Sequence, residues 1–416
     1  MTVDPVKIDR PEDVSEKPSI GLHLLVKNGA SVVDRLLDCV GPYLTEVVAV
    51  LNDCTDDTQE RLRQGCERHN LLSLYRVVTP STNPNFYIRD VPETYEVGRS
   101  LVGEVMPGPF TGRPLLANWA AARNAGWGMG RARWRLFLDA DDVVDDPHCL
   151  PGLCRLLDER GLTVASSRYH YDFAAGGRSR RDAFRERLAR NLPEIVWLGE
   201  VHEVLTGYQK GEVTHVDGSL VVRDRRDSRG AGIRLPGRNL KILYHRARSM
   251  GWKIGPRATI YLAAEARATM PRLAERLLDT YLEESTWAEE RAWACSMLGE
   301  MAEARDDAAK ASWYYEKALA EYPGVVNACR LCHSRFLEGR WDDAVAAYDL
   351  AMRNKSYPQL LDGGEAHEDA TKILVVGALR KLGRVAEARE LCRVLAERFP
   401  RSAPIAEMLQ KLEARG

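Results

Sequence analysis

The sequence predicts an α/β layer with a largely parallel sheet in its first half and an all-α helical repeat array in its second. Three observations carry that expectation. Up to about residue 170, short apolar runs of strand character alternate with segments of helical period, the pattern of a sheet crossed by helices. From about Asn239 onward almost only helical periodicity remains, and the helices come in pairs. Within the first half lies the run Trp134-Arg135-Leu136-Phe137-Leu138, which ends abruptly in Asp139, Asp141 and Asp142.

Taken in order, Ile20 to Val26 reads as a strand and Ser31 to Val40 as a helix with Val32, Val33, Leu36 and Leu37 on one face. Glu46 to Leu51 is a second strand, Asp56 to His69 a second helix and Leu71 to Val78 a third strand. From Thr79 to Arg113 the pattern stops. This stretch is rich in Pro and Gly, yet it holds Phe86, Tyr87, Tyr95 and Phe110. An insertion this long is functional or disordered, and its aromatics point to a lid or an acceptor wall. A helix from Pro114 to about Trp127, the Trp134 strand, a helix from Pro147 to Arg160 and a strand from Thr163 to Tyr169 complete the layer, whose domain is expected to span 20–238.

In the second half, 239–416, Pro256 to Thr269 pairs with Pro271 to Glu284, and Thr286 to Arg305 with Asp306 to Glu321. Gly324 to Gly339 pairs with Trp341 to Lys355, and Ala366 to Leu382 with Val385 to Phe399. Turn signals such as Tyr322-Pro323-Gly324 and Leu382-Gly383-Arg384 separate the segments. The stretches from Gly339 to Tyr348 and from Gly383 to Cys392 are offset copies of one pattern. Their spacing lies close to the tetratricopeptide period of about 34 residues.

A chain of 416 residues has length for two or three domains. Its net charge of −1 provides no global field for nucleic acid or membrane. Residues 1–19 are polar, carry Pro5, Pro11 and Pro18 and read as a disordered lead-in without the apolar core of a signal peptide. No apolar run approaches the roughly 20 residues of a membrane helix. Nine scattered cysteines suggest reduced thiols and a cytoplasmic location. Cys329 and Cys332 form a CxxC without a second pair, and helical spacing makes them core residues one turn apart. Charge is uneven. Gly176 to Arg257 holds 18 Lys or Arg against 9 Asp or Glu, with Arg178, Arg180, Arg181, Arg185, Arg187 and Arg190 in one cluster and Arg223, Arg225, Arg226 and Arg229 in another. These are solvated faces, or a site for an anionic substrate, which Arg suits.

The acidic turn has two readings. Crowded carboxylates repel unless something positive sits among them. A divalent cation carrying a diphosphate is one candidate, and a solvated helix-capping turn the other. Three further segments bear on the choice: Ile20 to Gly29, Val47 to Thr58, and Trp197 to Leu205 with Glu200, His202 and Glu203. Together with Leu116 to Asp141, their order and spacing resemble family 2 glycosyltransferases of the GT-A fold, a Rossmann-like nucleotide-sugar-binding domain. The branch with C-terminal tetratricopeptide-like repeats, which includes peptide S-glycosyltransferases, looks most similar.

The resemblance implies an inverting transferase using a nucleotide-sugar donor, UDP-linked first, and a divalent metal, Mn²⁺ or Mg²⁺. Asp139 and Asp141 match the family's DxD motif, so Asp139 is expected at donor and metal and Asp141 at the metal. Arg123 and Asn124 match its Arg-Asn pair, and Lys27, Asn28, Asn52 and Asp56 fall where it binds the donor. Asn52 stands beside Leu51, which replaces the family's uracil-binding Asp; Asp56 also suits a helix N-cap. His202 and Glu203 match its His-Glu pair. Glu203 is expected as general base with Glu200 as runner-up, and His202 as a metal ligand or its support. Asp142 receives no role. The expected acceptor is a peptide or protein, a glycan, or a modified DNA base. The repeats offer an acceptor-holding scaffold or a homo-oligomer interface. A repeat scaffold with an inactive transferase domain is the competing class.

Overall fold

The computed structural model describes residues 18–91, 104, 106–173, 179–209, 213–224, 237–354 and 365–414. The lead-in through residue 17 and the middle of the 79–113 insertion lie outside the described residues. So do Arg178, Arg225, Arg226 and Arg229, and the side chains of Arg180, Arg181 and Arg223. The described residues divide into two compact units. One runs to Ser249 without Glu104 and Met106, and the other comprises those two residues and Met250 onward.

The first unit is an eight-stranded mixed sheet. Its strands are β1 (Ile20–Val26), β2 (Glu46–Asn52), β3 (Leu72–Val78), β6 (Trp134–Phe137), β7 (Asp142–Val144), β8 (Val164–Phe173), β9 (Ser179–Arg190) and β12 (Val213–Asp224). They lie in the order β3-β2-β1-β6-β9-β8-β12-β7. β3, β2, β1 and β6 run parallel, whereas β9 is antiparallel to both β6 and β8. Every residue of β1 and β2 is buried, as expected of parallel strands covered on both faces.

On one face Leu22, Leu24, Ala49 and Leu136 pack with α1 (Val33–Val40), α2 (Thr58–Arg68) and α4 (Leu150–Glu159). On the other face Leu25, Val50, Phe137 and Val164 meet α3 (Trp119–Trp127) and two small hairpins. These hairpins are β4 (Tyr87–Arg89) with β5 (Pro114–Leu116), and β10 (Val196–Leu198) with β11 (Val204–Thr206). The alternation of strands and helices expected for this half is therefore present.

Three expectations change in detail. The predicted helix from Pro114 begins as a strand, because β4 offers Pro114–Leu116 an antiparallel partner. α3 starts only after Asn118, whose Oδ1 caps the Ala121 N–H at 2.9 Å. The arginine-rich segment 179–190 forms strand β9, in which Arg185 is exposed but Arg187 is only 4 % exposed. Finally α5 (Arg238–Ser249), read as the start of the helical half, clusters with the sheet. Its Lys241 forms a buried pair with Asp90 at 2.8 Å and also donates to the Pro109 carbonyl.

The second unit is helical throughout its described residues. Its helices are α6 (Pro256–Ala266), α7 (Pro271–Glu284), α8 (Ala288–Glu303), α9 (Ala308–Glu321), α10 (Val325–Leu337), α11 (Trp341–Arg353), α12 (Glu365–Lys381), α13 (Val385–Arg398) and α14 (Ala403–Glu413). The four expected pairs are present, and α14 adds to them. Small residues let paired helices approach. A Cβ on Gly299 of α8 would stand 2.5 Å from the Tyr315 ring of α9. Cys329 and Cys332 lie buried on α10, and burial pushes the Cys332 thiol up to about 12, as suits packing residues. Among the described residues no helix is long and apolar enough to cross a membrane.

Candidate active site

One face of α3 organises the site. Ala120, Arg123, Asn124 and Trp127 follow the helical spacing that places side chains together, and all four contact the segment 195–203. Trp127 Nε1 donates to the Ile195 carbonyl at 2.7 Å. The Asn124 amide donates to the Trp197 carbonyl at 2.9 Å and accepts its N–H at 3.0 Å. The first-turn N–H groups of Trp119 and Ala120, which have no partner inside the helix, donate to the Glu200 and Gly199 carbonyls at 2.9 and 3.3 Å. Gly199 and His202 both have positive φ, +105° and +54°. For His202 this is a sparsely populated conformation, of a kind that collects at functional sites.

Arg123 joins this loop to the acidic turn. Its Nε donates to Glu203 Oε1 at 2.6 Å and its Nη2 reaches Asp139 Oδ1 at 3.4 Å. The guanidinium carbon lies 4.1 Å from the Phe137 ring centre and 5.2 Å from that of Trp197. Nη1 is buried without a hydrogen-bond partner among the described residues, a cost unless a water or ligand oxygen completes it. Arg123 also lines a small cavity between α3 and the sheet with His23, Val50, Trp127, Phe137 and Trp197. Glu200, on the same loop, pairs with Arg246 of α5 at 2.7 Å.

In the acidic turn the three aspartates differ. The Asp139 side chain is 41 % exposed. Asp141 is half-buried, and its carbonyl accepts from Arg35 at 3.0 Å. Asp142 is buried at 1 % exposure. Its carboxylate accepts the Asp139 N–H at 2.9 Å and the Tyr169 hydroxyl at 3.0 Å, with Arg187 at 3.7 Å. Burial pushes the Asp142 carboxyl up to about 7, and Arg187 works against that rise. Nothing in the local sequence separates Asp142 from its neighbours. The one usable signal was the placement of Arg187 beside Leu188 and Ala189, within a segment able to form a strand.

The remaining expected residues lie at the ends of β1 and β2. Asn28, at φ +49°, accepts the Thr55 N–H at 2.8 Å and donates to its hydroxyl at 3.2 Å, locking the two strand-end turns together. Lys27 and Asp53 form an exposed pair at 3.7 Å. Asp56 accepts from Ala30 N at 3.1 Å and from both N–H and hydroxyl of Thr58. Burial alone would raise its carboxyl, but these hydrogen bonds hold it below the usual range. It therefore ties the turn after β1 to the first residue of α2, with both oxygens engaged, while the cap position of that helix is Asp57. Asn52 is buried, and its Oδ1 accepts from Tyr87 at 2.7 Å, a partner from the 79–113 insertion. Asn124 likewise spends its amide on Trp197 and not on the acidic turn.

Among the described residues no group of three or more His, Cys, Asp and Glu is placed to hold a metal ion. His202 thus joins no such cluster; its Nε2 lies 3.4 Å from the Asn239 amide. The oxygen donors Asp139 and Asp141 still suit a hard cation of the Mg²⁺ kind, which takes one or two carboxylates and completes its shell with substrate phosphates and water.

Residues 114–226 match the family model described as Glycosyl transferase family 2. The match covers α3, the acidic turn and the 199–203 loop, and leaves out Lys27, Asn28, Asn52 and Asp56. The matched segment lies in the α/β unit, and its similarity to that family supports a glycosyltransferase; a helical unit follows it in the chain. No curated protein matches the chain. Solved structures that match include pilF of Pseudomonas aeruginosa, 16% identical with a TM-score of 0.33 over 42% of this chain and 74% of that chain. They also include YrrB, a TPR protein with an unusual peptide-binding site, 15% identical with a TM-score of 0.35 over 42% and 82%. The Arabidopsis OM64 TPR domain is 15% identical with a TM-score of 0.26 over 30% and 96%.

Proposed function

We propose that the chain is a metal-dependent, inverting glycosyltransferase that moves a sugar from a nucleotide-diphosphate donor, a UDP-sugar first, to an acceptor. The observation that carries this reading is the buried Arg123 guanidinium, bonded to Glu203 and reaching Asp139. It brings a carboxylate of the acceptor loop and a carboxylate of the strand-end turn within one side chain of each other. In-line transfer requires that proximity.

Asp141 and Asp139 would hold the cation, with the Arg123 guanidinium reaching Asp139. When bound, the cation supplies charge neutralisation at the leaving diphosphate. Glu203 receives the acceptor's proton on Oε2, since Oε1 is held by Arg123. The acceptor atom bonds to the anomeric carbon as the bond from that carbon to the diphosphate oxygen breaks, and its electron pair leaves with the diphosphate. Glu200 is the second choice for the base: Arg246 engages it much as Arg123 engages Glu203, and it lies outside the His202-Glu203 pair that carries the resemblance. The acceptor favoured is a peptide or protein. The burial of Arg187 takes one charge from the basic region that motivated a DNA acceptor.

The test is hydrolysis and transfer across a panel of UDP-, GDP-, dTDP- and CDP-sugars with Mn²⁺ or Mg²⁺. Turnover that Glu203→Gln removes while donor binding persists supports the assignment. If Glu203→Gln transfers normally, the base is elsewhere. If no sugar nucleotide binds or turns over, the chain is a non-catalytic scaffold.

A further inference from the structure

Asp142, the third carboxylate of the acidic turn, remains unused by this chemistry, as does Arg187 beneath it. Asp142 starts β7, which pairs with the end of β12. Its N–H donates to the Asp139 carbonyl at 3.0 Å, while its own carboxylate accepts the Asp139 N–H at 2.9 Å. These reciprocal bonds close the four-residue turn on itself. Tyr169 fixes the other carboxylate oxygen at 3.0 Å. Arg187 is buried with its guanidinium 4.4 Å from the Tyr169 ring centre and 5.0 Å from that of Phe137. Phe137 therefore stacks against two guanidiniums. One, Arg123, reaches Asp139; the other, Arg187, stands by Asp142.

We propose that Asp142 is a positioning residue: held by Tyr169 and Arg187, it fixes the backbone of the turn so that Asp139 and Asp141 are set in advance for a cation and diphosphate. The inference rests on the transferase reading above. A buried carboxylate is costly unless it is paired and hydrogen-bonded, and here each oxygen has a donor. A turn whose sole task was to end a strand would need no buried acid, whereas a site that must hold two like charges near each other needs a rigid frame. Asp142 itself is too deeply buried to touch the ligand.

The experiment measures binding of a nucleoside diphosphate panel (UDP, GDP, dTDP, CDP) with Mn²⁺ by calorimetry, on the full chain well below its melting temperature. Asp142→Asn keeps the shape and an oxygen to accept the Asp139 N–H; Asp142→Ala keeps neither. The expected result is binding within about threefold of the unaltered protein for Asp142→Asn, and at least about tenfold weaker binding for Asp142→Ala, the worth of a hydrogen bond to a charged group. A purely structural role would lower the melting temperature of Asp142→Ala and leave the affinity of the folded protein unchanged, which overturns the proposal. Should Asp142→Ala fail to fold, Tyr169→Phe decides. It removes one bond from Asp142, and unchanged affinity there also refutes the role. An unaltered protein that binds no member of the panel removes the transferase reading and this inference with it; binding that ignores Asp142 removes the inference alone.

Discussion

Replacing Arg123 by Met is the sharpest probe of how the site is held. The side chain is 7 % exposed and Glu203 is 13 % exposed, so both charges depend on each other more than on water. Removing the guanidinium leaves Glu203 partly buried without its 2.6 Å donor, a situation that costs about 3–5 kcal/mol. The lost stacking on Phe137 and Trp197 adds about 1 kcal/mol. The 3.4 Å contact to Asp139 adds little, since that carboxylate is 41 % exposed and screened by water. Arg123→Met should therefore destabilise the sheet unit by about 5 kcal/mol. Arg123→Met with Glu203→Gln should recover about 2 kcal/mol of that, because no charge is then left unpaired. Urea unfolding followed by tryptophan fluorescence measures this cycle, with Trp127 and Trp197 beside the site as reporters. Strictly additive losses in the double variant would refute the claim that the two side chains form one unit.

Other consequences are as direct. Burial, and then Arg135, push the His23 imidazole down to about 3 from 6.5. The unfolded chain therefore binds this proton first. Stability is fully present above pH 6.5 and falls below it by up to ~1.4 kcal/mol per pH unit until His23 protonates; a His23→Phe variant should show a flatter acid limb in pH-dependent unfolding. A Cβ at Gly207 would sit 1.8 Å from the Glu194 carbonyl oxygen, at φ +89°. Gly207→Ala should cost at least about 2 kcal/mol and loosen the β10–β11 hairpin, which thermal melts and amide exchange at Trp197 would reveal. Asp141→Ala should abolish metal-dependent turnover while leaving the fold intact, and retained turnover would reject its metal role. Chelation by EDTA should stop turnover, and added Mn²⁺ or Mg²⁺ should restore it.

Much of this architecture was legible from local pattern. Strand and helix periods in 20–78 and the paired helices after Pro256 are properties of short windows, and the structure reproduces them closely. Pro114–Leu116 was misread because its partner β4 lies beyond a long insertion. β9 was missed because its many arginines gave no apolar strand pattern, although Arg187, Leu188 and Ala189 are buried in it. At the site, the family resemblance pointed to Arg123, Asp139 and Glu203, whose side chains the fold brings together. The same reasoning had no means of showing that Asn124 holds Trp197, that Asp56 spends both oxygens on Ala30 and Thr58, or that Tyr87 reaches Asn52.

By itself the sequence determined the order of elements over 20–78, the helical pairing and the acidic strand end, since each follows from propensity and spacing among near neighbours. Only the tertiary structure decided which aspartate is exposed, which is buried and which arginine serves each. Arg123 and Glu203 are 80 residues apart in the chain, and Asp142 meets Tyr169 and Arg187 across separate strands of the sheet. Burial and pairing are set by contacts of that range, and they give three adjacent carboxylates different chemistry.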